Sequence, residues 1–111
     1  RVLELAKEMR HLRSYIHVST AFSHCVRRVI EEVEHTMNIS YKEIMDYVET
    51  KTDDELLQET PRLLQGWPNT YVFSKAVCEN MIQEEYGTLP ICIFRPSIVV
   101  STYKEPVRGY I

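Results

Sequence analysis

Tyr71 and Lys75 stand four residues apart, a spacing that on a helix puts both side chains on one face. A free tyrosine titrates near pH 10, so only about 0.1% of it is ionised at pH 7. An ammonium close by favours the phenolate and can bring that value down to between about 7 and 9. The phenol then becomes a usable proton donor to a carbonyl oxygen that is receiving hydride. A hydroxyl beside the same oxygen, such as that of Thr20, would steady the developing alkoxide through a hydrogen bond. Tyr47 and Lys51 repeat the spacing. Spacing alone therefore leaves both pairs open, and a surface tyrosine packed on a lysine stem accounts for either without chemistry.

Context separates them. Gly66-Trp67-Pro68-Asn69 reads as a turn, with Asn69 or Thr70 as the next N-cap. A helix is predicted from about Tyr71 to Tyr86, with Gly87 placed to stop it. Pro90 fixes the start of Ile91-Cys92-Ile93-Phe94, an unalternating apolar run suited to a strand buried on both faces. Arg95-Pro96-Ser97 closes that strand. Tyr71 thus opens a well-delimited helix that leads into a strand, whereas Tyr47 lies near the end of a short helix that breaks before Thr52.

Upstream, residues 2–12 carry apolar side chains at helical spacing and read as the end of an amphipathic helix. Tyr15-Ile16-His17-Val18 follows as a short strand running into Ser19-Thr20. Residues 25–37 fit a helix and a strand equally well. Ser40-x-x-Glu43 and Thr52-x-x-Glu55 spell capping boxes ahead of two helices, and Pro61 is expected to end the second. Helix, strand, helical insert, helix, strand is the order of an α/β fold with a parallel sheet and crossover helices. Ligands in such folds gather beyond the carboxyl ends of the strands. Thr20, Pro96 and the start of the Tyr71 helix all belong there.

Composition narrows the functional classes. A formal charge of −3, with 44% hydrophobic and 26% charged residues, is that of an ordinary globular chain and argues against a nucleic-acid module. The apolar runs are far shorter than the ~20 residues of a spanning helix. Cys25, Cys78 and Cys92 are odd in number and widely spaced, which suits buried free thiols, with Cys78 a small core residue. The histidines lack ligand spacing, so no metal is expected. His17, between Ile16 and Val18, reads as a satisfied core or interface histidine, and Trp67 as a packing anchor for its turn. The chain opens at Arg1 in mid-pattern without a leader peptide and reads as an internal piece of a longer protein, one domain at most.

Three segments carry a resemblance: residues 15–22 (Tyr-Ile-His-Val-Ser-Thr-Ala-Phe), residues 66–79 (Gly-Trp-Pro-Asn-Thr-Tyr-Val-Phe-Ser-Lys-Ala-Val-Cys-Glu), and residues 94–106, beginning Phe-Arg-Pro-Ser-Ile. In this order they are similar to signatures of fatty acyl-CoA reductases, especially the insect type, within the extended short-chain dehydrogenase/reductase group. The resemblance implies a partial Rossmann-like, doubly wound parallel sheet. Residues 1–111 would form part of one NADP-binding domain whose Gly-rich N-terminal half and C-terminal region lie elsewhere. It also implies NADPH as cofactor and long-chain fatty acyl-CoA as substrate, reduced to a fatty alcohol. Tyr71 would be the catalytic acid, and Lys75 would contact the nicotinamide ribose while tuning Tyr71. The strand-end hydroxyl maps onto Thr20, with Ser19 as a weaker candidate, and the backbone after Pro96, at Ser97 and Ile98, would face the nicotinamide carboxamide. By resemblance the parent associates with peroxisomal or endoplasmic-reticulum membrane through other regions. Arg108 and Tyr110 depart from the proline and tryptophan more usual there. Alternatives are another extended short-chain dehydrogenase or epimerase, acting on a sugar nucleotide or sterol, and an inactive remnant serving as a binding module.

Overall fold

The computed structural model describes residues 1–64 and 66–111. It is a mixed α/β arrangement of α1 (Val2–Glu8), β1 (Tyr15–Val18), α2 (Tyr41–Thr50), α3 (Asp53–Leu64), α4 (Thr70–Glu85) and β2 (Ile91–Phe94). The strands pair in parallel, Tyr15 beside Ile91 and Val18 beside Phe94. Parallel neighbours need a crossover connection, and residues between the strands supply it with three helices. Backbone pairing continues past both strand ends, from Ser19 N–H to the Phe94 carbonyl at 2.8 Å and from Ala21 N–H to the Pro96 carbonyl at 2.9 Å.

Local chemistry explains most helix boundaries. At α4 the Asn69 side chain accepts the Val72 N–H at 3.0 Å, and Gly87 takes a positive φ of 60° beyond the other end. At α3 the capping box closes in both directions: Thr52 Oγ1 accepts from Glu55 N–H and Glu55 Oε2 accepts from Thr52 N–H. The box expected at Ser40 does not form, since Ser40 and Glu43 exchange no hydrogen bond, although Ser40 still caps the helix. Ser40 Oγ accepts from Lys42 N–H, and its proton is shared with the Glu84 carboxylate of α4.

Some expectations need correction. Pro61 lies inside α3 instead of ending it. The carbonyl left without a donor is that of Leu57, which is 77% exposed and open to water, so the helix tolerates the loss. Helix α1 stops at Glu8, because Met9 turns extended and finds no apolar surface to cover it. Residues 25–37 are neither helix nor strand: a turn ends at Val26, and bends and irregular chain follow.

The core runs along α4, where Val72, Phe73, Ala76 and Ile82 are buried, and is completed by Leu3 and Ala6 of α1 and Ile44 of α2. As many polar residues are buried as apolar ones: Ser19, Thr20, Ser23, His24, His35, Glu79 and Asn80. The interior at the strand ends is therefore held by hydrogen bonds as much as by apolar packing. Trp67 anchors its turn as expected, edge-on to both His24 and Phe73 at 6.0 Å.

The strands are not buried on both faces. Tyr15, His17, Ile91 and Ile93 are half-covered, while Ile16, Val18, Cys92 and Phe94 are exposed. All three cysteines are exposed rather than buried, Cys78 included, since each lies where none of the described elements packs. An apolar sheet face and two open strand edges invite association. The 111-residue chain on its own should therefore sediment in a concentration-dependent way and melt without cooperativity. A monomer with a sharp melt would contradict this.

Candidate active site

Lys75 is the link between helix and sheet. Its Nζ donates to the Val18 carbonyl at 3.3 Å, so the first two turns of α4 lie over the carboxyl end of β1. One turn earlier on the same helix, Tyr71 is 57% exposed, and among the described residues its hydroxyl has no partner. Two residues beyond Val18, Thr20 is buried, and its Oγ1 accepts the Phe22 N–H at 3.3 Å. A hydroxyl has one proton and two lone pairs, so Thr20 can still donate. Ser19 cannot do so as freely, because its hydroxyl donates to Glu79 Oε1.

The structure thus brings Thr20, Lys75 and Pro96 to one end of the sheet. Thr20 is bracketed by the Ser19–Phe94 and Ala21–Pro96 backbone bonds. Tyr71 sits at the solvent edge of this group. Ser97 and Ile98 follow beyond the strand and are exposed, and among the described residues their N–H groups make no backbone hydrogen bond.

The rival pair is arranged differently. Tyr47 donates its hydroxyl to Glu59 Oε2 at 2.6 Å, and Lys51 lies over the tyrosine ring, 5.9 Å from its centroid. The carboxylate acceptor pushes the Tyr47 phenol above its ordinary value, the opposite of what an activated proton donor needs. Tyr47 joins α2 to α3.

Beneath Thr20 lies a cluster that the spacing of the sequence did not single out. Glu79 of α4 is completely buried and takes the Ser19 hydroxyl, His24 Nε2 at 3.0 Å, and Arg95 Nη2 at 2.6 Å. Arg95 Nε adds bonds of 3.2 and 3.1 Å to the two carboxylate oxygens, and its Nη1 donates to the Val33 carbonyl at 3.1 Å. Burial pushes the carboxyl up, but the hydrogen bonds from His24, Arg95 and Ser19 outweigh it and hold Glu79 well below the usual carboxylate range. Ser23 adds to the same field, although its buried Oγ has no partner in hydrogen-bonding geometry. A glutamate on the same helix face as Ala76 and Ile82 is the available signal, since an ionised side chain on a core-facing stripe needs a partner.

His17 also departs from expectation. Its Nε2 is buried without a partner among the described residues. Burial and the Lys75 ammonium lower its pKa, so a neutral ring, cheaper to leave unpaired than a charged one, sits there. No group of three or more His, Cys, Asp or Glu side chains gathers in metal-binding geometry among the described residues.

Comparison with known proteins adds an independent line. An NAD-binding family described as male sterility protein matches residues 1–111. The chain is 42% identical over 110 residues to fatty acyl-CoA reductase wat of Drosophila melanogaster, covering 99% of this chain and 21% of that protein. It is 42% identical over 111 residues to fatty acyl-CoA reductase 2 of Bos taurus, and 41% over 110 residues to fatty acyl-CoA reductase 1 of Gallus gallus, with 99% of this chain and 21% of each relative covered. The chain thus spans about a fifth of the length of these relatives. No solved structure matches it.

The buried pair has a measurable consequence. Replacing Arg95 with Met in the full-length protein strips Glu79 of its cation and should cost about 3–5 kcal/mol, read as a lower denaturant midpoint. Because the folded-state value of Glu79 is depressed, its contribution is complete above the unfolded value of about 4.3 and fades as pH falls below it. Stability of the wild type should therefore drop below about pH 4.3, and Glu79→Gln should lack that component.

Proposed function

From the membership of this chain in the NAD-binding male sterility protein family, we propose that it is part of an NADPH-dependent reductase that converts long-chain fatty acyl-CoA to fatty alcohol. The fold we infer is part of a Rossmann-like, doubly wound sheet, with residues 1–111 a portion of one nucleotide-binding domain. The likeness to three reductases of that name supports the reaction. The observation that carries the site is Lys75 Nζ bound to the Val18 carbonyl, which sets it two residues from a donor-competent Thr20 and one helical turn from a solvent-facing tyrosine, at the carboxyl ends of β1 and β2.

The donor set fits a nicotinamide nucleotide. Lys75 spends one proton on the Val18 carbonyl and keeps two for ribose hydroxyls. The unpaired N–H groups after Pro96 suit a carboxamide oxygen. The only glycines, Gly66, Gly87 and Gly109, form no phosphate-binding run, so the pyrophosphate would be held by other parts of the protein. When bound, the cofactor supplies hydride. The protein supplies position and the proton.

Two reductions are required. In the first, hydride and a proton add to the thioester carbonyl, and the carbon–sulfur bond breaks to release the CoA thiol and an aldehyde. In the second, another hydride and proton convert the aldehyde to the alcohol. In both, Thr20 holds the carbonyl oxygen as charge builds on it, and Tyr71 delivers the proton. Lys75 holds the cofactor ribose one turn along the same helix, and solvent at the exposed Tyr71 edge returns the proton.

Full-length enzyme, NADPH and acyl-CoAs, with analysis of the lipids formed, test the reaction. Tyr71→Phe should abolish most turnover and leave NADPH affinity nearly intact, whereas Tyr47→Phe should retain activity; the reverse outcome would move the site. Thr20→Val should lower kcat by on the order of a hundredfold with KM for NADPH little changed. Lys75→Met should weaken NADPH binding and depress kcat together. Unchanged turnover in Thr20→Val would transfer the role to Ser19.

A further inference from the structure

Glu79 is too deep to touch a substrate, yet two of its three side-chain partners, Ser19 and Arg95 but not His24, are chain neighbours of residues proposed for the site. Ser19, which donates to Oε1, precedes Thr20. Arg95, which holds Oε2 at 2.6 Å, precedes Pro96, Ser97 and Ile98. Glu79 itself follows Lys75 by four residues on α4, so the helix that carries the lysine also carries the anchor. The backbone bonds from Ser19 to Phe94 and from Ala21 to Pro96, at 2.8 and 2.9 Å, tie the two segments to each other on either side of Thr20.

We propose that Glu79 is a positioning residue: its buried carboxylate sets the place of the Thr20 hydroxyl through Ser19, and that of the Pro96–Ile98 backbone through Arg95, relative to Lys75. This deepens the reductase reading and rests on it. The chemistry asks for a carboxylate. Ionised, it is acceptor-only and can receive donors from three segments at once. A glutamine of the same shape has one acceptor oxygen and turns its N–H groups toward side chains that are themselves donors. Displacement of reacting groups by about 1 Å can cost on the order of a hundredfold in rate, so a shift too small to unfold the protein still registers in catalysis.

The test uses the full-length protein with NADPH and an acyl-CoA, and compares Ser19→Ala, Glu79→Gln and the double variant. Ser19→Ala frees Thr20 alone and should lower kcat about tenfold while the Kd for NADPH stays within about twofold. Glu79→Gln frees both segments and should lower kcat about a hundredfold and weaken NADPH binding about tenfold. The double variant should be no worse than Glu79→Gln, because both changes remove one linkage. Hydrogen exchange should quicken in peptides covering residues 17–22 and 93–98 and stay unchanged in α2 and α3.

A purely structural carboxylate would lower the melting temperature while kcat and Kd of the folded protein stay at wild-type values. That result, or additive losses in the double variant, overturns the proposal. If the wild type binds NADPH but reduces no acyl-CoA, the substrate reading has failed, and NADPH affinity with hydrogen exchange still decides for or against Glu79. Should Glu79→Gln not fold, Ser19→Ala decides: wild-type exchange at residues 17–22 overturns the proposal.

Discussion

A single buried carboxylate organises this end of the molecule. Glu79 has no exposed surface, and an unpaired ionised side chain in that position would be strongly disfavoured. Its ionisation is sustained by Arg95 from the end of β2, Ser19 from the end of β1 and His24 from the turns that follow. Remove any one and the remaining donors must still satisfy the charge. That constraint, more than apolar packing, fixes where the two strand ends and α4 meet.

Buried ion pairs are poor sources of net stability, because desolvation consumes most of the attraction. What they do supply is geometry. An apolar cluster at the same place would tolerate several packings of similar energy, whereas a guanidinium fork and a carboxylate accept few. Arg95 also reaches the Val33 carbonyl, so the irregular segment between His24 and Met37 is secured by the same guanidinium. This segment lacks helix or strand ladders of its own, which explains why its sequence fits neither period cleanly.

The parts legible in the sequence were local. The cap at Asn69, the reciprocal box at Thr52 and Glu55, the stop at Gly87 and both strands follow from neighbours within a few residues. The gathering of Thr20, Pro96 and the start of α4 at one end of the sheet is legible one step further, from the order of elements. Two features are not. Whether a tyrosine four residues before a lysine is engaged elsewhere depends on Glu59, twelve residues away, which occupies the Tyr47 hydroxyl. The Glu79 cluster joins residues 55 and 60 positions apart, and no periodicity reports such pairs. Burial is illegible for another reason. An apolar run states what a strand is suited to touch, not whether a described element touches it, so Phe94 and Cys92 lie exposed.

The two adjacent hydroxyls illustrate how position divides labour. Ser19 and Thr20 are both almost fully buried and share one strand end. Side chains alternate along extended chain, so the neighbours point apart, and only one of them can face Glu79. Ser19 does, and its proton is committed to the carboxylate. Thr20 is left with its acceptor side turned to the Phe22 N–H, which orients the hydroxyl and leaves its proton for another oxygen. A donor held in advance loses little on meeting its acceptor, and it acts most strongly where charge is developing rather than where it already resides. Committing Ser19 to the carboxylate therefore leaves Thr20 free, and the chemistry proposed for one residue depends on the fixed bond of the residue before it.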